Sequence, residues 1–303
     1  DESHEVAIDD YELIGFFTQS FTLDSNTLSN PVGIMGTNIE GEFLNIIANN
    51  RLRSNIKTSF ENLGLDIADY RISAFEIANN LLTDAEKRSG AAMVDFGAGT
   101  TTIAVLKNNI VRQITTLPIG INSIRQDLCD LQIEEAEAEQ LMLKYANAIV
   151  ETTPDNENEK KPTYTTSDGR EIEISLIQQI IEARLNEIII NVENQLHNSE
   201  YADKLLGGVV ITGGGANIKN IDKACSNTLK IDKVRIARKL IPQLIKNSDI
   251  TQLSTESATT CTIISLLLAG DENCVGEPYN GPDIFAVKDK EDEISAHKEA
   301  TAK

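Results

Sequence analysis

The chain has 303 residues, 41% of them apolar, with 5% aromatics and no tryptophan, so its core is built from Ile, Leu, Val and Ala. That length exceeds one small core and implies two or more subdomains. A net charge of −20 argues against nucleic acid as a partner and against broad adhesion to anionic lipid, both of which need basic patches. Cys129, Cys225, Cys261 and Cys274 show neither CxxC nor zinc spacing and read as free thiols in a reducing compartment. No stretch is long and uncharged enough to span a bilayer. The first residues, Asp1-Glu2-Ser3, show no signal peptide, and the missing initiator methionine reads as a fragment.

In chain order, Asp10–Phe21 reads as a strand around Leu13–Phe17, and Asn30-Pro31-Val32-Gly33-Ile34-Met35-Gly36 as a tight connection. Glu42–Ala48 is strand-like, and Leu52–Leu63 has helical spacing that Gly64 terminates. Tyr70–Leu82 begins as a strand and becomes a helix, followed by a polar run, Thr83–Ser89. Ile110–Leu117 is a returning strand, Asn122 caps a helix carrying Ile124, Leu128 and Leu131, and another helix covers Glu134–Val150. Thr152–Gly169 reads as a loop or hairpin tip. The longest helix, Ser175–Leu196, carries the stripe Ile177, Ile181, Leu185, Ile188, Val192 and Leu196 behind a Ser175/Gln178 capping box. A strand at Val209–Ile211 then runs into Gly213-Gly214-Gly215 and a helix opened by Asn217. Ile231–Ile236 is a strand, Pro242–Asp249 a connection, Ser257–Ala269 a small-residue helix, and Lys288–Lys303 a charged linker tail.

Chemistry concentrates in Ala91–Leu106, where two apolar runs flank Asp95, Gly97, Gly99 and a block of threonines. This reads as a β-hairpin whose tip receives phosphate. Gly97 and Gly99 let backbone N–H groups converge on an anion, Thr100 and Thr101 add hydroxyls, and Asp95 could hold a hydrated Mg²⁺. A dinucleotide fingerprint is excluded because Thr101–Leu106 is strand rather than helix, and no Gly-Lys-Ser/Thr makes a Walker loop. An ordinary glycine hairpin also fits this stretch.

A hairpin phosphate turn followed much later by strand, glycine turn and helix resembles the actin-like ATPases, with Asp95–Val105 as second phosphate loop and Val209–Asn217 as adenosine loop. Within them the chain resembles the bacterial cell-division FtsA family. Asn30-Pro31-Val32-Gly33-Ile34-Met35-Gly36, Asn55…Leu63-Gly64-Leu65, Asn80-Leu81-Leu82-Thr83-Asp84-Ala85-Glu86-Lys87 and Ile181-Glu182-Ala183-Arg184-Leu185-Asn186-Glu187-Ile188 carry the likeness. It implies an α/β, actin-like (ribonuclease-H-like) two-domain fold with an inserted small α+β subdomain. The expected parts are that insert at 1–67, the rest of the first domain at 68–117, a second domain at 118–270 with 141–200 as its outer subdomain, and a tail at 271–303.

The resemblance further implies ATP with Mg²⁺ as conformational ligand and at most slow ATPase activity. Gly97, Gly99, Thr100, Thr101, Glu139, Gly213, Gly214, Gly215 and Asn217 would bind nucleotide and Asp95 the metal. Arg184 would meet the FtsZ carboxy-terminal peptide, the insert would meet other divisome proteins, and the chain would self-associate into filaments. The implied place is cytoplasmic, at the inner face of the membrane at the division site, with attachment through a tail absent here. Family members open with a first phosphate loop, which implies that this chain lacks its amino end. Thr102 replaces the usual Asp, and Met142 a Lys near the ribose. A PilM-type adaptor of pilus assembly, and a sugar or acetate kinase of the same superfamily, are the alternatives.

Overall fold

The computed structural model describes residues 10–28, 30–67, 69–150, 161–237 and 258–270. Expectations for Pro242–Asp249, for most of the loop's first half and for the tail fall outside these residues. No helix among the described residues is long and apolar enough to cross a membrane.

The first module is a three-stranded antiparallel sheet, β1 (Tyr11–Leu23), β2 (Asn26–Leu28) and β3 (Ile39–Asn49), in the order β2-β1-β3, followed by helix α1 (Asn50–Glu61). Asp24 and Ser25, both at positive φ, make the two-residue turn between β1 and β2. The Asp24 carboxylate accepts from the amides of Thr37 and Asn38 and pins the loop that returns to β3. Gly64 ends α1 as the sequence predicts. At φ 68° it lets its own N–H reach Glu61 O and that of Leu65 reach Phe60 O, at 3.0 and 3.1 Å. Leu23 is the one buried side chain of the described module, and α1 buries none.

Helix α2 (Ser73–Leu81) and the short α3 (Asp84–Ser89) lead into β4 (Ala91–Phe96), β5 (Thr101–Lys107) and β6 (Ile110–Leu117). The run Thr83–Ser89 is thus a helix, closed by a capping box between Thr83 and Glu86. Then come α4 (Asn122–Cys129), α5 (Glu135–Tyr145), a small hairpin of β7 (Thr163–Thr165) and β8 (Glu171–Glu173), and the long α6 (Ile174–Asn198). Strand β9 (Gly208–Thr212), α7 (Ile221–Leu229), β10 (Val234–Ile236) and α8 (Cys261–Leu268) follow among the described residues. Helix α5 stops at Tyr145, short of the expected Val150, because the chain leaves it to pair with the segment before α7: Ala148 N–H donates to Lys219 O at 2.8 Å.

Five strands form one sheet in the order β10-β9-β4-β5-β6. β4, β5 and β6 are antiparallel, whereas β4 runs parallel to β9 and β9 to β10. The boundary expected between 117 and 118 therefore cuts through a single sheet. Backbone hydrogen bonds join the β4–β5 hairpin to the Val209 strand, which segments so far apart in sequence do not reveal. Because strand side chains alternate, Ala92, Val94, Phe96, Ile103 and Val105 face a core with α4, α5, α6 and α7. Ala91, Met93, Ala104 and Leu106 face α2 and α8. Helix α6 brings its predicted stripe, Ile177 to Leu196, into the first of these cores, so 141–200 has no separate interior.

One half-buried ion pair ties α3 to the edge strand. Arg235 forks onto both oxygens of Glu86 through Nε and Nη2 at 2.8 Å, and the same Nη2 also donates to Leu81 O. Burial pushes the Glu86 carboxyl up, but the hydrogen bonds from Arg235 and Thr83 outweigh it and hold the value below the ordinary 4.5. A depressed folded-state value means stability that is present at neutral pH and lost as acid protonates the group. Arg235→Ala should therefore cost about 1–2 kcal/mol at pH 7. The difference in melting temperature from the unaltered chain should shrink below pH 4.5.

Candidate functional site

The parallel pairing of β4 with β9 sets Asp95 opposite Thr212, so the turns that follow both strands emerge at the same end of the sheet. The first turn, Gly97–Thr100, is closed by Gly97 N–H to Thr100 O at 2.9 Å. The start of α4 lies behind it. Ile121 N–H donates to Gly97 O at 3.0 Å, and Asn122 N–H to Ala98 O at 2.8 Å. In a trans peptide the N–H points opposite to the C=O. The amides of Ala98 and Gly99 share peptide units with those two carbonyls and so face away from α4. Ala98, Gly99 and Thr100 are exposed, and a pair of outward amides on a rigid base is what an anionic oxygen needs.

Gly120 permits this backing. A Cβ there would lie 2.6 Å from Ala98 O and 2.7 Å from Gly97 O. The sequence shows Gly120 only as the end of a strand, and no local signal marks it as a site residue. Asn122, read as a helix cap, instead spends its backbone amide on the hairpin, and the cap position is Ile121. Nor does Ser175 form its capping box: its hydroxyl bonds Glu173.

Asp95 lies at the sheet end beneath both turns. Burial alone pushes its carboxyl above its ordinary value, with no hydrogen bond to a described residue to offset it. Gly213, at φ 87°, makes room for it: any Cβ at 213 would collide with Asp95 Oδ1 and lie 2.6 Å from Phe96 O. Gly215 packs against Phe96 and Ile121, where a Cβ would come within 2.7 Å of each. Gly214 is exposed with nothing around its Cα side. Asn217 does not open α7, whose cap is the left-handed Asn220; its amide reaches Gly214 O and Thr259 Oγ1, both at 3.3 Å.

A carboxylate that is half-buried, unbonded among the described residues and next to a turn with outward amides fits a hydrated Mg²⁺, which takes few protein ligands and keeps its waters. No cluster of three or more metal-ligating side chains exists among the described residues. Phosphate and water would have to complete the shell.

Two expected contacts, those of Thr101 and Glu139, are placed elsewhere. Thr101 is fully buried and donates its hydroxyl to Ile119 O at 2.8 Å, so it fixes the turn from behind and offers nothing to phosphate. The odd-even alternation of β5 decides this. Glu139 is exposed on α5 and bonded to neither turn; its neighbour Glu137 is the engaged carboxylate, accepting from Tyr164 and Ser167. Met142 packs partly into the core.

Arg184 is not a free cation. Its guanidinium forks onto Asp127 of α4 at 2.5 and 2.6 Å and reaches Glu187 at 2.6 Å. The cation expected to meet a partner peptide is thus also an interhelical tie, because α4 packs its Asp127 directly against α6. A cleft of about 400 Å³ adjoins it, lined by Asp127, Asp130, Leu131, Ile180, Ala183 and Glu187 besides Arg184.

Comparison with known proteins accords with this architecture. Solved structures of similar fold include MreB5 of Spiroplasma citri bound to ADP, at TM-score 0.55 and 19% identity over 73% of this chain and 65% of that one. Another is a PilM-PilN type IV pilus biogenesis complex, at TM-score 0.59 and 13% identity over 87% and 68%. At such identities they establish the fold alone, which is actin-like. Cell division protein FtsA of Pseudomonas aeruginosa is 26% identical over 72% of this chain and 53% of its own length. That of Porphyromonas gingivalis is 28% identical over 75% and 48%, and that of Escherichia coli K12 is 24% identical over 77% and 57%. The chain spans about half the length of these relatives. The family model described as cell division protein FtsA matches residues 92–257. A match over more than half of its residues makes the chain a member of the cell division protein FtsA family.

Proposed function

We propose that the chain is the nucleotide-responsive part of an actin-like adaptor for cell division. In this reading it tethers FtsZ filaments at the inner face of the membrane and self-associates into filaments. ATP acts as a conformational ligand with slow hydrolysis or none. The observation that carries the reading is the convergence of two glycine turns on one carboxylate, Asp95, which no described residue pairs, in a chain of this family. The outward amides of Ala98 and Gly99, with Thr100, would hold phosphate oxygens. Asp95 would hold Mg²⁺ through water, and the exposed Gly214 and Asn217 would face the adenosine on a turn that the buried Gly213 and Gly215 seat against the sheet. When bound, Mg²⁺ would screen the phosphates from Asp95, which otherwise repels them.

Calorimetric titration with Mg-ADP tests this. Asp95→Asn should weaken binding at least tenfold, about 1.4 kcal/mol, and abolish its dependence on Mg²⁺. Its melting temperature should hold or rise. A raised folded-state value means that the folded chain keeps its proton longer than the unfolded one. Stability therefore falls as pH rises from the unfolded-state value to the folded-state one, and the cost is complete above the folded-state value. Gly213→Ala should lose both binding and stability, since alanine at that φ is strained by roughly 1 kcal/mol or more before it meets Asp95. Mg²⁺-dependent affinity unchanged in Asp95→Asn would overturn the metal assignment.

For the partner, we propose that a carboxylate of the FtsZ tail takes the place of Glu187 on Arg184. The Arg184–Glu187 pair is an i,i+3 contact whose carboxylate is half exposed, worth only tenths of a kcal/mol and readily exchanged. The Asp127 fork stays. Glu187→Gln should accordingly tighten binding of an FtsZ tail peptide severalfold in a fluorescence-anisotropy titration, whereas Arg184→Ala should weaken it. Arg184→Ala should also lower the melting temperature by about 2–6 °C, the equivalent of roughly 1–2 kcal/mol, because Asp127 is left unpaired. Weakened peptide binding in Glu187→Gln would count against exchange at this position.

A further inference from the structure

We propose that α4 is a coupling strut, so that whatever occupies the phosphate-facing hairpin changes the affinity of the α4–α6 cleft for its partner, and the reverse. The proposal deepens the proposed function and rests on it for the identity of the two ligands. The linkage itself rests on contacts at both ends of one helix.

At its start, α4 holds the hairpin by the two amide bonds from Ile121 and Asn122 to Gly97 O and Ala98 O. The hydroxyl of Thr101 binds Ile119 O from the hairpin side, and that of Ser123 binds Gly120 O, so the segment before α4 is fixed from both directions. In its middle, Ile124 and Leu128 are fully buried under the sheet. At its end, Asp127 carries the Arg184 fork, and Arg170 of the β7–β8 turn grips Leu131 O and Gln132 O at 3.2 and 2.7 Å. Eight residues without Gly or Pro make a stiff rod of roughly 12 Å between these anchors.

The peptide units that offer their N–H groups to an anion are those whose carbonyls accept from α4. An anion on Ala98 and Gly99 polarises these units and strengthens the bonds behind them. Any displacement of the hairpin moves α4 as a body, because a packed core transmits a shift and does not absorb it. Asp127 then moves against Arg184. Linkage makes the effect reciprocal, so cutting the Asp127–Arg184 tie must be felt at the hairpin even without nucleotide.

Amide hydrogen exchange on the whole chain reads this directly. In Asp127→Asn, exchange at the hydrogen-bonded amides of Gly97, Ile121 and Asn122 should be at least threefold faster than in the unaltered chain. Arg235→Ala, which removes an ion pair on the other edge of the sheet, should leave those amides alone, although it also lowers stability. Arg184→Gln cuts the same tie from the other helix and should reproduce the first result if Asp127→Asn does not fold. Equal hairpin exchange in Asp127→Asn, or in Arg184→Gln, and in Arg235→Ala would overturn the strut. A second arm adds saturating Mg-ADP and should slow exchange at Asp130 and Leu131. Calorimetry on the same sample separates two failures. Bound nucleotide without slowing at the cleft overturns the coupling. Absent binding overturns the nucleotide reading, and the variant arm still decides the linkage.

Discussion

Parallel pairing of Ala91–Asp95 with Gly208–Thr212 is the constraint on which the rest of the molecule depends. Two parallel neighbours cannot be joined by a tight turn, so the chain between them must cross over the sheet. Everything from α4 to α6 is that crossover, and it supplies the helical layer over one face. The same pairing puts two glycine turns side by side beyond the carboxyl ends of their strands, where open α/β sheets place their ligands. The pairing itself depends on close backbone approach at the start of β9, where Gly207 N–H reaches Gly90 O at 2.6 Å and Gly208 sits at φ 86°.

Two carboxylates near this sheet show how the molecule treats half-buried charge. Glu86 is paired on both oxygens, capped by Thr83, and titrates low; it serves the fold. Asp95 is held just as firmly by its strand, yet it has no partner among the described residues and titrates high. A charge that burial destabilises and no neighbour compensates is a cost to folding. Perturbed groups of this kind cluster at functional sites.

Elements with a clear period were legible in the sequence: β4 and β5 by their apolar runs, α6 by its stripe, α1 by its spacing and its glycine stop. Three of the failures share one cause, which is that a tertiary partner took a group whose local role looked settled. Asn122 resembles a cap, but its amide is claimed by the hairpin. Thr101 resembles a phosphate ligand, but strand alternation turns it inward. Arg184 resembles a surface charge because Asp127, its partner, is 57 residues away. Helix α3 was missed for another reason: its six residues are almost all polar and carry no amphipathic period. Thr83 and Glu86, three apart, were the available sign.

The first module is built differently from the rest. With Leu23 as the sole buried side chain among its described residues and α1 resting on the surface, it has almost no interior. It leans on the larger body through β1 beside β6, where Phe17 stacks near Phe75 and Gln19 donates to Val111 O. A unit of this kind has little reason to outlast its support: loosening β6 would release it, whereas its own unravelling leaves the five-stranded sheet intact. Its sequence is correspondingly unburdened by packing. Substitutions along the outer faces of β3 and α1 alter what the surface presents without disturbing the machinery behind it, so this is where the chain can change its associates at least cost to itself.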